Sequence, residues 1–112
     1  MKKIEAIIRP EKLQQVKLAL AEADLFPMTV TEVRGRGAQK GICLQYRGKK
    51  MEVDLIPKVK IEMVIRNDDV PRAIGAIRAA ARTGKFGDGR IFVLPVEQSA
   101  NVRIADSVTE DG

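Results

Sequence analysis

A chain of 112 residues, 45% apolar and 31% charged, has material for one hydrophobic core and no second, and reads as a soluble globular domain spanning 1–112. Its 20 Lys and Arg exceed its 15 Asp and Glu, giving a net charge of +5 that points to anionic partners: nucleic acid, a membrane surface or phosphorylated small molecules. A single cysteine, Cys43, excludes an internal disulfide and a multi-cysteine metal cage, and the absence of histidine removes the commonest general base and metal ligand.

Met1-Lys-Lys-Ile-Glu leads into a strand instead of a signal peptide. No apolar run approaches the roughly 20 residues of a membrane helix, so a cytoplasmic protein without membrane insertion is expected. From Lys3 to Arg9, Ile4, Ala6 and Ile8 alternate with Lys3, Glu5 and Ile7, the period of a half-buried strand. Pro10 suits a first helical turn, and residues 11–24 place Leu13, Val16, Leu20 and Ala23 on one face. Met28 to Arg34 is rich in β-branched residues and predicts a second strand.

A long glycine-rich loop follows, and Val53 to Arg66 recovers the period of two: Val59, Ile61, Met63 and Ile65 against Lys58, Lys60, Glu62 and Val64. Asn67-Asp68-Asp69 and Pro71 mark a helix start, Val70, Ile74, Ile77 and Ala81 its apolar stripe, and Gly84 its end. A second loop, 83–90, precedes a fourth strand, Ile91 to Val96, and a polar tail from about 97 to 112. The order β-α-β-β-α-β predicts an α+β, ferredoxin-like sandwich, an antiparallel four-stranded sheet with both helices on one face. The other face would carry Ile7, Thr29, Val33 and Val64, apolar enough to require cover by another copy of the chain.

Two loops carry the candidate chemistry. Thr83-Gly-Lys-Phe-Gly-Asp-Gly-Arg90 brings three glycines together with Arg82, Lys85 and Arg90, either as a phosphate cradle or as a helix cap followed by a tight turn. Gly35-Arg-Gly-Ala-Gln-Lys-Gly41 follows a strand with no helix after it, the wrong setting for a P-loop or a dinucleotide fingerprint. The two gain meaning if neighbouring copies close them on one anion. Tyr46-Arg47-Gly48-Lys49-Lys50 is either a solvated charge run or a docking tip for another protein.

These segments, with Thr29-Val-Thr-Glu-Val-Arg-Gly35, Val53-Asp54 and Pro57-Lys-Val-Lys-Ile-Glu62, resemble the nitrogen-regulatory PII signal-transduction proteins from Met1 to about Arg103. The resemblance implies a homotrimer that binds ATP or ADP between subunits. With Mg²⁺ and ATP it also binds 2-oxoglutarate at the base of a long T-loop, about 37–55, which docks on a target such as a membrane ammonium transporter or a nitrogen-metabolism enzyme.

Carried over by position, the resemblance implies nucleotide contacts from Ile7, Thr29, Gly35, Gly37, Ala38, Gln39, Glu62, Met63 and Val64. It adds Gly87, Asp88, Gly89 and Arg90 of a B-loop at about 82–90, and Arg103 of the C-terminal segment. Gln39 would hold Mg²⁺; Lys58 would pair with a 2-oxoglutarate carboxylate, helped by Gly37, Gln39, Lys40 and Gly41; and Tyr46, Arg47, Lys49 and Lys50 would dock the target.

The chain departs from the family at several positions. The tyrosine that the family modifies is Met51 here, and the serine phosphorylated in some members is Lys49, so neither modification has its hydroxyl. Arg90 replaces a lysine, Ala38 and Asn101 stand where arginines are common, and Pro27 replaces a glycine, which bears on ADP, ATP or AMP preference. RNA-recognition domains share the element order, but residues 4–8 and 60–65 lack their stacking aromatics, so nucleic acid is not the expected partner. An enzyme acting on acyl phosphates has only the basic glycine loop in its favour, and no catalysis is expected.

Overall fold

The computed structural model of the protein describes residues 1–37, 42–46, 49–53 and 55–105. In chain order its elements are β1 (Lys2–Ile8), α1 (Leu13–Glu22), β2 (Thr29–Gly35), β3 (Ile42–Tyr46), β4 (Lys49–Val53), β5 (Ile56–Ile65), α2 (Val70–Ala81) and β6 (Gly89–Pro95). Strands β2, β5, β1 and β6 form one antiparallel sheet in that order, while β3 and β4 pair separately as a two-stranded ribbon. With both helices over the central strands, this is the ferredoxin-like arrangement.

Register assigns the faces. Ile4 lies opposite Met63 and Ala6 opposite Ile61, so the alternating apolar residues of β1 and β5 share one side. There they meet Val16 and Leu20 of α1 and Ala73, Ile77 and Ala81 of α2 in a single buried core. Full burial of each large aliphatic side chain in such a core contributes about 2 kcal/mol, which is why these two periodic strands occupy the middle of the sheet. The other face pairs Thr29 with Glu62, Val33 with Lys58 and Ile7 with Arg90. Val64, Phe92 and Leu94 are exposed on this same face, so the apolar surface expected opposite the helices is present.

Several boundaries differ from the sequence reading: β1 and β2 are each displaced by one residue, and β5 starts at Ile56 and not at Val53. Helix α1 begins at Leu13, because Pro10–Lys12 forms a tighter single turn, and it ends at Glu22. Residues 49–53, expected to be loop and strand start, belong to the ribbon, whose register pairs Tyr46 with Lys49 and Ile42 with Val53. Strand β6 starts at Gly89, two residues early. Gly89 has φ +118°, and a Cβ there would lie 1.8 Å from the Ile7 carbonyl oxygen, so the strand approaches β1 as only glycine permits.

Helix α1 ends in a paired-bond cap: Leu25 N–H donates to the Leu20 carbonyl at 2.9 Å and Asp24 N–H to Ala21 at 3.0 Å, while Leu25 tucks into the core beside Leu20. The geometry forces Asp24, an exposed residue, to φ 59°. An L residue with a Cβ is disfavoured there, so Asp24→Gly is expected to raise stability by about 0.5 kcal/mol in urea titrations. A loss of stability would show that the aspartate has a compensating role.

Candidate functional site

The loop between α2 and β6 is organised by one carboxylate. Helix α2 stops at Ala81, with Arg82 already extended; Gly84 takes its positive φ two residues beyond that cap, inside the loop, and not as the helix's own terminator. Asp88 then reaches back. It accepts hydrogen bonds from Thr83 N–H at 2.9 Å, from Gly84 N–H at 2.8 Å and from the Thr83 hydroxyl, and it pairs with Arg9 Nε at 3.1 Å. These donors, the Thr83 hydroxyl first, hold the Asp88 carboxyl well below the usual carboxylate range, against the opposing effect of desolvation.

A carboxyl with a depressed folded-state pKa stabilises the fold above its unfolded pKa of about 4 and loses that contribution as pH falls toward the folded value. Asp88→Asn is therefore expected to lower the urea midpoint at pH 7 and to narrow its deficit against the parent chain at pH 3. A deficit that is constant with pH would show that the carboxylate's charge plays no part.

Two cations from other strands seize the loop's far side. Arg9, just past β1, donates through Nη2 to the Phe86 carbonyl at 2.8 Å, and Lys58 of β5 donates through Nζ to the Gly87 carbonyl. A Cβ on Gly87 would stand 3.5 Å from both the Arg9 and the Lys58 side-chain nitrogens, so this glycine, with φ +94°, lies against both cations. Burial first, and the charge of Arg9 second, push the Lys58 ammonium below its ordinary pKa. An anion beside Lys58 would relieve that penalty.

Lys58 and Glu62 lie on the same face of β5, four residues or about 13 Å apart. Glu62 is engaged by Lys3 at 2.6 Å and by Lys60 at 3.7 Å, and the Lys3 hydrogen bond is the chief reason its carboxyl lies below the usual range. The Lys3 ammonium is raised in turn, chiefly by Glu62.

The structure thus gathers Ile7, Thr29, Glu62, Val64 and Arg90 onto one sheet face, with Lys58 and the 87–89 backbone at its end. Met63 does not share that face: its side chain is buried among the helices, and only its main chain is available to a ligand on the other side. Asp88 turns inward as the loop's anchor. Gly35 closes β2 opposite Ile56, and Gly37 is exposed just beyond.

Arg103 stands in an exposed C-terminal segment where the Asn101 side-chain oxygen accepts the N–H groups of Arg103 at 2.9 Å and Ile104 at 3.3 Å. Ala38, Gln39, Lys40, Gly41 and Arg47 lie outside the described residues; Tyr46, Lys49 and Lys50 lie on the β3–β4 ribbon. Among the described residues no three His, Cys, Asp or Glu side chains converge as a metal cluster, and no helix is long and apolar enough to cross a membrane.

Sequence reasoning missed Arg9 and Thr83. The ferredoxin-like topology held the signal for Arg9, since β1 beside β6 pairs Ile8 with Gly89 and so brings residue 9 to residue 88.

Comparison with known proteins gives one consistent result. The family model described as nitrogen regulatory protein P-II matches residues 1–106. A nitrogen regulatory protein P-II from Bradyrhizobium diazoefficiens is 56% identical over 107 residues, covering 96% of each chain. One from Microchaete diplosiphon is 50% identical over 110 residues, covering 98% of each. The nitrogen regulatory protein P-II 2 of Methanothermobacter thermautotrophicus is 50% identical over 107 residues, covering 96% of this chain and 93% of its own.

Proposed function

The chain belongs to the nitrogen regulatory protein P-II family, and from that premise we propose that it is a non-catalytic, homotrimeric sensor of ATP or ADP and 2-oxoglutarate. Its T-loop reports the bound state to a protein target, a membrane ammonium transporter or an enzyme of nitrogen metabolism. The observation that carries the reading is the pairing of Arg9 and Lys58 across Gly87. Lys58 is held there by the neutral Gly87 carbonyl, while Arg9 reaches the Phe86 carbonyl and pairs with Asp88, the nearby carboxylate, which Thr83 and Gly84 also take up.

A carboxylate or phosphate arriving at this point replaces a neutral acceptor by a charged one, and charge-assisted bonds are roughly twice as strong. The open sheet face, covered by a neighbouring copy, turns Ile7, Thr29, Glu62 and Val64 into the wall of a cleft instead of a wet surface. Gln39 would hold the Mg²⁺ that accompanies ATP, and that ion supplies charge neutralisation between phosphate oxygens. When a ligand takes Lys58 from the Gly87 carbonyl, the base of the T-loop and the 83–88 loop feel the same event, which shifts the T-loop population toward the form its target binds.

Asn101 favours a variation on this reading. Where an arginine would reach for phosphate, its side chain caps the Arg103–Ile104 turn, so Arg103 carries the C-terminal contact alone, and ADP or AMP is held better relative to ATP. Calorimetry with ATP, ADP and 2-oxoglutarate in Mg²⁺ tests the proposal: saturable nucleotide heat, and 2-oxoglutarate heat that requires ATP, are expected. No nucleotide heat at millimolar concentration would overturn it.

A further inference from the structure

On the helix side of the sheet, away from the face that carries Glu62, an open hollow lies between the last turn of α2 and the start of β6. Ile77, Ala81 and Ile91 supply apolar lining, and Arg78, Arg82 and Arg90 also line it. Among the described residues none of these three arginines has an ion-pair partner, and Asp88, the carboxylate in the lining, is committed to Arg9 and Thr83. Arg90 lines it from the strand backbone, its side chain being on the Ile7 face. The two unpaired cations of α2's end, Arg78 and Arg82, beside an apolar floor fit a segment that presents an aliphatic side chain flanked by carboxylates.

The sequence holds such a segment. In Asp106-Ser-Val-Thr-Glu110, residues two apart share a face when the backbone is extended, so Asp106 and Glu110 would flank Val108 at about 7 Å on either side. Residues 97–105, which lead to it, are all exposed in the single chain. Strand β6 is an edge of the sheet, with no strand of the described residues on its outer side, which is the setting in which an added extended segment docks.

We infer that the acidic tail of a neighbouring copy docks in this hollow, with Val108 over Ile77 and Ile91 and with Asp106 and Glu110 against the arginines. The site depends on the proposed function only in requiring neighbouring copies. The tail is then a tether between subunits, held by Arg78 and Arg82 on the helix side and leaving Arg90 on the other face to a ligand.

The test uses the full chain carrying Asp106→Lys and Glu110→Lys, whose own tails no longer fit, and a fluorescein-labelled peptide of residues 104–112 followed by anisotropy without nucleotide. Saturable binding is expected. It should weaken when salt rises from about 20 to about 200 mM, and by about tenfold when Arg78→Glu and Arg82→Glu are added. A peptide with lysines at 106 and 110 should bind that arginine-reversed protein in preference to the one with both arginines, which a misfolded variant would not do. Absent binding, or equal affinity of the native peptide for both proteins, would overturn the inference while leaving the nucleotide calorimetry untouched.

Discussion

Gly89→Ala is expected to destabilise the fold by about 4 kcal/mol and to lower its thermal midpoint by about 20 °C, near the limit of what one methyl group does. The added Cβ would stand 1.8 Å from the Ile7 carbonyl oxygen and 2.9 Å from its carbon, with φ fixed at +118°. Strain at such a dihedral costs about 1–3 kcal/mol alone. Ile7 cannot retreat, because β1 lies between β5 and β6 and its other side is held by the pairing of Ile7 with Lys60. Relief comes only by parting β6 from β1 at the Ile8–Gly89 and Ile7–Arg90 pairs, which also releases the strand that follows Asp88.

Gly84→Ala is the matched control. Its φ of +89° carries the strain, but nothing lies within 4 Å of the added carbon, so only about 1 kcal/mol is expected. Circular-dichroism melts of the two variants decide the matter: equal midpoints would mean that the close approach to β1 contributes nothing.

What was legible in the sequence was what short-range pattern controls. The alternation in residues 3–9 and 58–65 gave the two central strands and their faces, and the shared face of Lys58 and Glu62 followed from it. The stripe of Val70, Ile74, Ile77 and Ala81 gave α2 and its start, while its end falls at Ala81, short of the Gly84 that the sequence marked. The start of β6 was not legible: Gly89 reads as a turn residue, and its place in a strand depends on β1 lying against it in space. The β3–β4 ribbon was also missed, because two five-residue strands set in a glycine-rich, cationic stretch are outweighed locally by their surroundings.

In the site, Lys58, Gly87 and the basic loop could be named from residue type, but their arrangement could not. The Arg9–Asp88 pair joins residues 79 apart, and Asp88, which looked like a ligand contact, spends its charge on Thr83, Gly84 and Arg9. Met63 sits one residue from Glu62 and Val64, and in a strand that single step moves its side chain to the other side of the sheet.

Lys58→Ala is expected to weaken 2-oxoglutarate binding by about 10- to 150-fold, the range for loss of one charge-assisted hydrogen bond, while ADP affinity stays within about threefold. The separation follows from what Lys58 touches. Its ammonium bonds the Gly87 carbonyl and is pushed below its ordinary pKa by burial and by Arg9, so it gains most from a small anion placed directly against it. A nucleotide phosphate bound as proposed on the 87–89 backbone would instead be met by amides and by Arg90, which the substitution leaves in place. Loss of the Lys58 bond to Gly87 frees one side of the loop, but Asp88 and Arg9 still hold the other through Thr83, Gly84 and Phe86. Calorimetric titration of both ligands into the variant separates the possibilities. Equal loss for ADP and 2-oxoglutarate would mean that Lys58 acts by shaping the loop through Gly87, and unchanged 2-oxoglutarate affinity would remove the lysine from the binding site altogether.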